Sequence, residues 1–510
     1  MSDLNKTAKT KITKSLSNEG NLQKDKGSAQ MLYEIVTMTL LGKDDFYNSS
    51  NKLVGMMDDH MQKLVKSGKV DYVANLAIHA RVNMHIRSMP IVLVVHLAKY
   101  LRATNNQYDS MRKLVCDVIQ RADEMTDLYA YALQVFGNKK KVPMAIKNGV
   151  ADATLKFDEY QFGKYKASGK TLTLKQLFQI IHPKGKTVEQ LDLFKKVNAE
   201  TLSTPYTWET ELSEAGQTGK GKKVVWEELI NSNKLGIMAQ IRNLRNMVQA
   251  GVSDDHLDKI CSNLDNPEII SRSKQMPYRF VSALNATAEL HNNKVNRAIS
   301  RATDHSLANV PDLGDNVWII VDCSLSMGGN GWNRDSSDTP FSKASLFAAA
   351  LAKKNGDSNN FKLTMFSDRA GHINYNSDSP ILEIVNNMKK EMYGGGTNLD
   401  AALSLRKNLG FDPTTIVLFS DMEVARLNNF SRYSESVGTN KAFLARKDIL
   451  KIAVNANPSS NTPAHESDGW IQVSGYSDSI FNYIKTKNAG TSITTKLGKS
   501  FMGVKAVKAL

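Results

Sequence analysis

Near residue 313 the hydrophobic pattern of this chain changes period, so two differently built domains must meet there. Upstream, apolar residues recur at three- and four-residue spacing over 31–41, 76–80, 91–101, 111–118, 128–135, 174–181, 226–230, 237–248, 256–264 and 279–290. That spacing is the buried stripe of an amphipathic helix. Breaks fall at Ser88-Met89-Pro90, Thr104-Asn105-Asn106, Gly137-Asn138 and Gly149. Many short helices of similar length predict a stacked α-helical repeat domain of the HEAT type over 27–312; an irregular helical domain fits the same stripes. Downstream, continuous apolar runs take over. Val317-Trp318-Ile319-Ile320-Val321, 361–366, 415–419 and 449–454 are expected strands, the first apolar enough to be buried on both faces. Helical patterns at 343–354 and 381–392 lie between them, and a last helix is expected over 479–484. Strands alternating with helices predict an α/β, doubly wound, mainly parallel sheet over 313–490.

The ends fit neither pattern. Residues 1–26 are polar and basic, without the apolar run of a secretory signal, and are expected to be a disordered tail. Residues 491–510 form a basic C-terminal segment. No apolar stretch reaches the ~20 residues that span a bilayer, so no membrane partner is expected. Cys116, Cys261 and Cys323 are odd in number and far apart, which fits a reducing, cytoplasmic setting better than a disulfide framework. The net charge is +15, and it is unevenly spread: residues 139–196 alone hold 13 basic and 5 acidic side chains. Charge concentrated in one domain suggests a polyanionic partner, although a solubilising surface would look the same.

Chemistry concentrates where the first buried strand ends. Asp322-Cys323-Ser324-Leu325-Ser326 follows it directly, at the carboxyl end where open α/β sheets bind ligands. Gly394-Gly395-Gly396-Thr397 precedes an Asn-started helix, and Ser420-Asp421 closes another buried strand. The order matches the metal-ion-dependent adhesion site of von Willebrand A domains. Asp322, Ser324, Ser326, Thr397 and Asp421 are therefore the candidate metal ligands. Hydroxyl and carboxylate oxygens suit a hard divalent cation, Mg²⁺ above all, and so few protein charges would leave the ion able to take a partner's acidic oxygen. A purely structural metal, or serines and aspartates bonded to one another, fits the same residues. No His or Cys that could act as base or nucleophile accompanies the motif, so no enzyme activity is expected. There is also no G-x-x-x-x-G-K-[ST] phosphate loop.

Together these two domains resemble the Ro autoantigen, or TROVE-module, family. The signposts are Tyr160-Gln161-Phe162-Gly163-Lys164-Tyr165-Lys166, then Ile181-His182-Pro183-Lys184, then Thr207-Trp208-Glu209 and Trp226-Glu227-Glu228-Leu229-Ile230. Ala239-Gln240-Ile241-Arg242-Asn243-Leu244-Arg245-Asn246-Met247 follows, and Arg279-Phe280-Val281-Ser282-Ala283-Leu284-Asn285-Ala286 comes last. In the second domain Phe366-Ser367-Asp368 also looks Ro-like. The resemblance covers roughly 27–490. It implies a HEAT-like ring closed by the A domain, small noncoding Y RNA on the outer basic surface, and 3′ ends of misfolded RNA in the hole. A monomer, with an exoribonuclease as possible companion, is implied in the same way. The loop 328–339, with Asp335 and Asp338 near the motif, is longer than in the family.

Candidate RNA contacts are Lys139, Lys140 and Lys141, and Lys164, Lys166, Lys170, Lys175, His182, Lys184 and Lys186. Lysines neutralise phosphates, and Tyr160, Phe162 and Tyr165 among them could stack on unpaired bases. Arg242 and Arg245, three apart on one helix face, are candidate ring-lining phosphate clamps. His182 also fits a turn residue before Pro183, and Trp208 and Trp226 fit the core better than base stacking. Two other readings remain: a Mg²⁺-dependent protein–protein adaptor using the A-domain site, and an accessory A domain of a chelatase or ATPase complex.

Overall fold

The structure, a computed structural model, describes residues 14–16, 22–25, 27–38, 50–165, 172–310, 312–328, 339–355, 360–392, 394–423, 440, 442–456, 461–462, 464 and 468–474. The chain divides into two compact units, Met1–Glu34 with Pro311–Ile493, and Ile35–Val310 with Thr494–Leu510. Helices build the second unit and a six-stranded sheet builds the first.

In the helical unit, alternate helices stack. Val70–Val82 packs on Met111–Val118, that helix on Met144–Ala153, and that one on Leu174–Ile181. In the other row Ser88–Ala103 packs on Ala122–Phe136. Next-but-one contacts in two rows are the signature of a layered repeat stack, because each helix hides its apolar stripe against the following layer. Ser88-Met89-Pro90, expected as a break, is the first turn of Ser88–Ala103, with Met89 and Pro90 buried. A proline in the first turn costs nothing, since its missing N–H has no partner to lose there. Several helices escaped the apolar pattern, among them Ser50–Lys66, Met144–Ala153, Val188–Ala199, Trp208–Thr218, Pro267–Ser273 and Asn293–His305. From Ala215 to Ala302 one continuous core runs through the later helices, with Trp226, Leu244 and Phe280 buried in it.

In the other unit the strands are β1 (Val317–Asp322), β2 (Phe361–Phe366), β3 (Ala370–His372), β4 (Thr415–Ser420), β5 (Leu450–Asn455) and β6 (Trp470–Ser474). Their order is β3-β2-β1-β4-β5-β6. All neighbours pair in parallel except β2 with β3. Every residue of β1 and β4 is buried, which is why their sequences are unbroken apolar runs rather than alternating ones. Helix Pro340–Asn355 packs on β1 and β2. The chain leaves β1 to one side for β2 and to the other for β4, so β1 marks the topological switch of the sheet.

The N-terminus departs from expectation. Lys14–Leu16 pairs with Leu22–Asp25, and Leu22–Asp25 pairs with Asn461–Thr462, both antiparallel. Part of the expected disordered tail is therefore strand, its backbone groups satisfied by neighbours no hydrophobic pattern could reveal. Residues 27–34, expected in the helical domain, group with the sheet: Gln30 Nε2 donates to Gln472 Oε1 at 3.3 Å, and Asn455 Nδ2 to Glu34 Oε2 at 3.1 Å. The expected helix at 479–484, the segment 491–510, and Asp335 and Asp338 lie outside the described residues.

Candidate metal centre and nucleic-acid interface

Three neighbouring strands end in a Ser/Asp pair. β1 ends at Asp322 with Ser324 beyond it, β2 is followed by Ser367-Asp368, and β4 ends at Ser420 with Asp421 next. Parallel pairing aligns these ends, with Asp322 opposite Phe366 and Val321 opposite Phe419. The candidate metal site therefore sits at the switch point.

Asp322 is fully buried. One carboxylate oxygen accepts from the Ser324 N–H at 2.9 Å and the other from the Ser420 hydroxyl at 2.6 Å. Burial first, and then the neighbouring Asp421 carboxylate, push its pKa well above the usual range. Ser324 Oγ and Ser326 Oγ lie 3.1 Å apart, so the two hydroxyls converge. Thr397 is buried on a loop tied in at three points. Leu325 N–H donates to Gly395 O at 3.0 Å, Asn398 N–H to Ser367 O at 2.7 Å, and Gly396 N–H to Asp368 Oδ1 at 2.8 Å.

Gly395 has φ +89°, and a Cβ on it would lie 2.0 Å from Asp368 Oδ2. What the backbone of Gly395 and Gly396 approaches closely is the Asp368 carboxylate. Ser367 Oγ is buried with no hydrogen-bond partner among the described residues, next to the same strand ends.

This donor set fits a hard divalent ion. Two adjacent buried carboxylates carry charge that burial penalises, and a cation would relieve it. The oxygens are carboxylate and hydroxyl, and among the described residues no trio of His, Cys, Asp or Glu offers a softer site. Asp322, Ser324, Ser326, Thr397 and Asp421, singled out from sequence, all lie at or next to this convergence. Ser420, which orients Asp322, and Asp368, which anchors the glycine loop, were quoted in the motifs but given no role at the site. The repeated Ser/Asp pair at strand ends is the signal that could have found them.

The basic candidates separate by environment. Lys139, Lys140, Lys141, Lys184, Lys186, Arg242 and Arg245 are exposed, and no carboxylate among the described residues pairs with them. Lys175 is tied to Glu200 at 2.9 Å, which dilutes its charge. Lys164 leans over the rings of Tyr160 and Tyr165. His182 is the left-handed cap (φ 48°) of Leu174–Ile181 and is exposed. Lys166 and Lys170 lie outside the described residues.

Of the aromatic candidates, Tyr160 is exposed, and Tyr165 has the Arg121 guanidinium 4.1 Å from its ring centre. Phe162 is a correction: it is completely buried, edge-on to Phe157 and Phe178, and cannot stack on a base. Trp226 is core, as expected, with Trp208 stacked on it at 6.2 Å. Arg242 sits 5.9 Å over the Trp208 ring.

Residues 198–313 match the model of the TROVE domain, and residues 317–423 match that of the von Willebrand factor type A domain. The chain thus carries one stretch that matches the TROVE domain and, next to it, one that matches the von Willebrand factor type A domain. Its TROVE match spans Trp208, Arg242 and Arg245, and its A-domain match spans all five candidate metal ligands. Over 82 residues the chain is 42% identical to Telomerase protein component 1 of Mus musculus, and over 82 residues 40% identical to that of Rattus norvegicus. Each stretch is 16% of this chain and 3% of the relative, so the chain spans a small fraction of the curated proteins it matches. The crystal structure of the Ro (RSR) protein of Deinococcus radiodurans aligns with a TM-score of 0.59, over 92% of this chain and 99% of that one. At 14% identity this likeness is one of fold.

Proposed function

We propose that this protein is an RNA-binding scaffold of the TROVE kind and not an enzyme. It takes small structured noncoding RNA of the Y type on the basic surface of its helical unit, and single-stranded 3′ ends of misfolded RNA at the Arg242 and Arg245 face. TROVE proteins are RNA-binding as a family. The observation that carries the reading for this chain is the set of exposed cations without acidic partners among the described residues: Lys139, Lys140, Lys141, Lys184, Lys186, Arg242 and Arg245. Cations already paired to carboxylates would have to break those pairs to meet phosphate; these need not. The Arg242 guanidinium carbon lies 5.9 Å from the Trp208 ring centre, a cation–π contact that leaves its N–H groups unpaired with any carboxylate among the described residues.

In the A domain, Asp322, Ser324, Ser326, Thr397 and Asp421 would hold Mg²⁺. The ion would supply an electrophilic position for an acidic oxygen. Ser420 holds the Asp322 carboxylate in place, and Asp368 fixes the loop that carries Thr397. One observation favours a second role as a Mg²⁺-dependent protein adaptor. Leu325, between the two serines, is 53% exposed and offers a partner an apolar contact beside the metal position. An exoribonuclease is a suitable partner of this kind. The proposed setting is the cytoplasm, and the proposed state a monomer.

The deciding experiment is crosslinking and sequencing of RNA copurified with the protein from its host. A small set of structured noncoding RNAs, crosslinked within 139–196 and around 242–245, is the expected result. RNA indistinguishable from lysate background would overturn the RNA reading and leave the adaptor.

A further inference from the structure

The helical unit contains a cavity of about 240 Å³ where helix Ile237–Gln249 begins. Ile230, Ile237, Ile260 and Ile269 give it apolar walls. Asn233, Gln240, Asn263 and Lys259 supply its polar side chains, and Gly236 also lines it. The space is smaller than the ~300 Å³ at which pockets for drug-sized ligands begin, so it suits one ring system.

The polar groups are only loosely committed. Gln240 is buried, and its Nε2 donates to Leu235 O at 2.7 Å. Its Oε1 receives one long bond, 3.4 Å, from Asn263 Nδ2. That amide pair can open without leaving either group stranded if a ligand offers its own donor and acceptor. Lys259 is exposed, and its ammonium donates to the neutral Asn231 Oδ1 at 2.7 Å rather than to a carboxylate. Its charge is therefore uncompensated there. Aliphatic walls, side-chain amides and a cation without a carboxylate partner among the described residues together match a nucleobase with its phosphate. Side-chain amides pair with the adenine edge in both directions, donating and accepting.

The position fits too. Arg242 and Arg245 are five and eight residues beyond Ile237, on the exposed face of the same helix, about 8 and 12 Å along its axis. At 3.6 residues per turn Arg242 is turned about 200° from the cavity-lining Gln240, so a strand with phosphates on those arginines has to round the helix to put a later nucleotide at the cavity. We propose that this cavity receives one unstacked base of single-stranded RNA, adenine in preference, with Asn263 and Gln240 on its edge and Lys259 on its phosphate. The inference rests on the RNA-binding reading and adds to it a site for a single base.

Gly236 provides the test. Its φ is −65°, and a Cβ added there meets nothing within 4 Å, so Gly236→Phe places a ring at the cavity mouth without backbone strain. Lys259→Ala is a second, exposed variant. The full chain is titrated by fluorescence anisotropy with single-stranded oligoadenylate and with a blunt RNA duplex, and with AMP by saturation-transfer NMR. The parent should bind all three. Gly236→Phe should lose the AMP signal and weaken oligoadenylate about tenfold, leaving the duplex unchanged; Lys259→Ala should weaken AMP and oligoadenylate less. If Gly236→Phe binds AMP and oligoadenylate like the parent, the cavity inference is overturned and the RNA reading stands. If the parent binds neither RNA, the RNA reading itself falls. AMP binding without RNA binding would also overturn the inference, since the cavity would then serve a free nucleotide.

Discussion

Glu124 is buried and accepts from two guanidinium groups and two backbone N–H groups. Arg81 donates Nη2 to Oε1 at 2.8 Å and Nε to Oε2 at 3.1 Å; Arg87 Nε reaches Oε1 at 3.4 Å. The N–H groups of Gln120 and Arg121 complete the set at 2.8 and 3.2 Å. One carboxylate thus joins the end of helix Val70–Val82 to the start of Ala122–Phe136. Glu124→Ala strands the buried Arg81 charge, and urea unfolding should show a loss of about 3–5 kcal/mol. A loss under about 1 kcal/mol would mean that Arg81 rehydrates freely. Glu159 behaves differently because it is partly exposed. The Lys196 ammonium, then the Ser203 N–H and hydroxyl, hold its carboxyl down to about 2. A carboxylate depressed in the folded state stabilises above its ordinary range, and that contribution disappears as pH falls through about 2. An NMR titration of the Glu159 side chain should therefore find its midpoint near 2, and Lys196→Ala should move it upward. A midpoint in the ordinary glutamate range would show that Lys196 and Ser203 do not hold this carboxylate.

Between elements, close approach decides more than composition. Gly149 lets helix Met144–Ala153 lie against Met111–Val118: a Cβ on it would meet Arg112 O at 2.5 Å and Val115 Cβ at 2.6 Å. Gly149→Ala should cost about 1–3 kcal/mol by pushing the helices apart, despite alanine's better helix propensity. A more stable alanine variant in thermal unfolding would refute the close packing. In sequence this glycine looked like a break between helices; it is a helix-interior contact. The strand ends teach the converse. With Mg²⁺ at ~100 times its Kd, binding at β1 and β4 should stabilise the fold by about 2.7 kcal/mol, lost on chelation. Asp322→Ala should abolish the difference between Mg²⁺ and chelator in calorimetry. A parent protein whose Tm ignores Mg²⁺ would remove the metal from this site.

At the scale of the molecule, RNA affinity should fall steeply with salt, because it rests on phosphate neutralisation. Arg242→Ala with Arg245→Ala should reduce the slope of log K against log salt by up to about 2, measured with single-stranded RNA between 50 and 200 mM salt. An unchanged slope would place the phosphates elsewhere. Much of the architecture was legible beforehand. The stripes of 91–101 and 237–248 became helices Ser88–Ala103 and Ile237–Gln249, and the unbroken run at 317–321 became the central strand. Periodicity is a local property, and each such segment writes its own burial into its residues. The antiparallel β3, the edge strand β6 and the N-terminal pairing were not legible, because short edge segments are fixed by the partner they meet. The five candidate metal ligands could be named from sequence because strand ends advertise themselves where apolar runs stop at Asp and Ser. Which lysines stay unpaired, that Phe162 is core, and that Gln240, Asn263 and Lys259 surround one cavity depended on segments far apart in the chain. Sequence alone determined what each segment could bury; only the tertiary structure decided which polar groups were left without a partner, because a partner is a matter of distance in space.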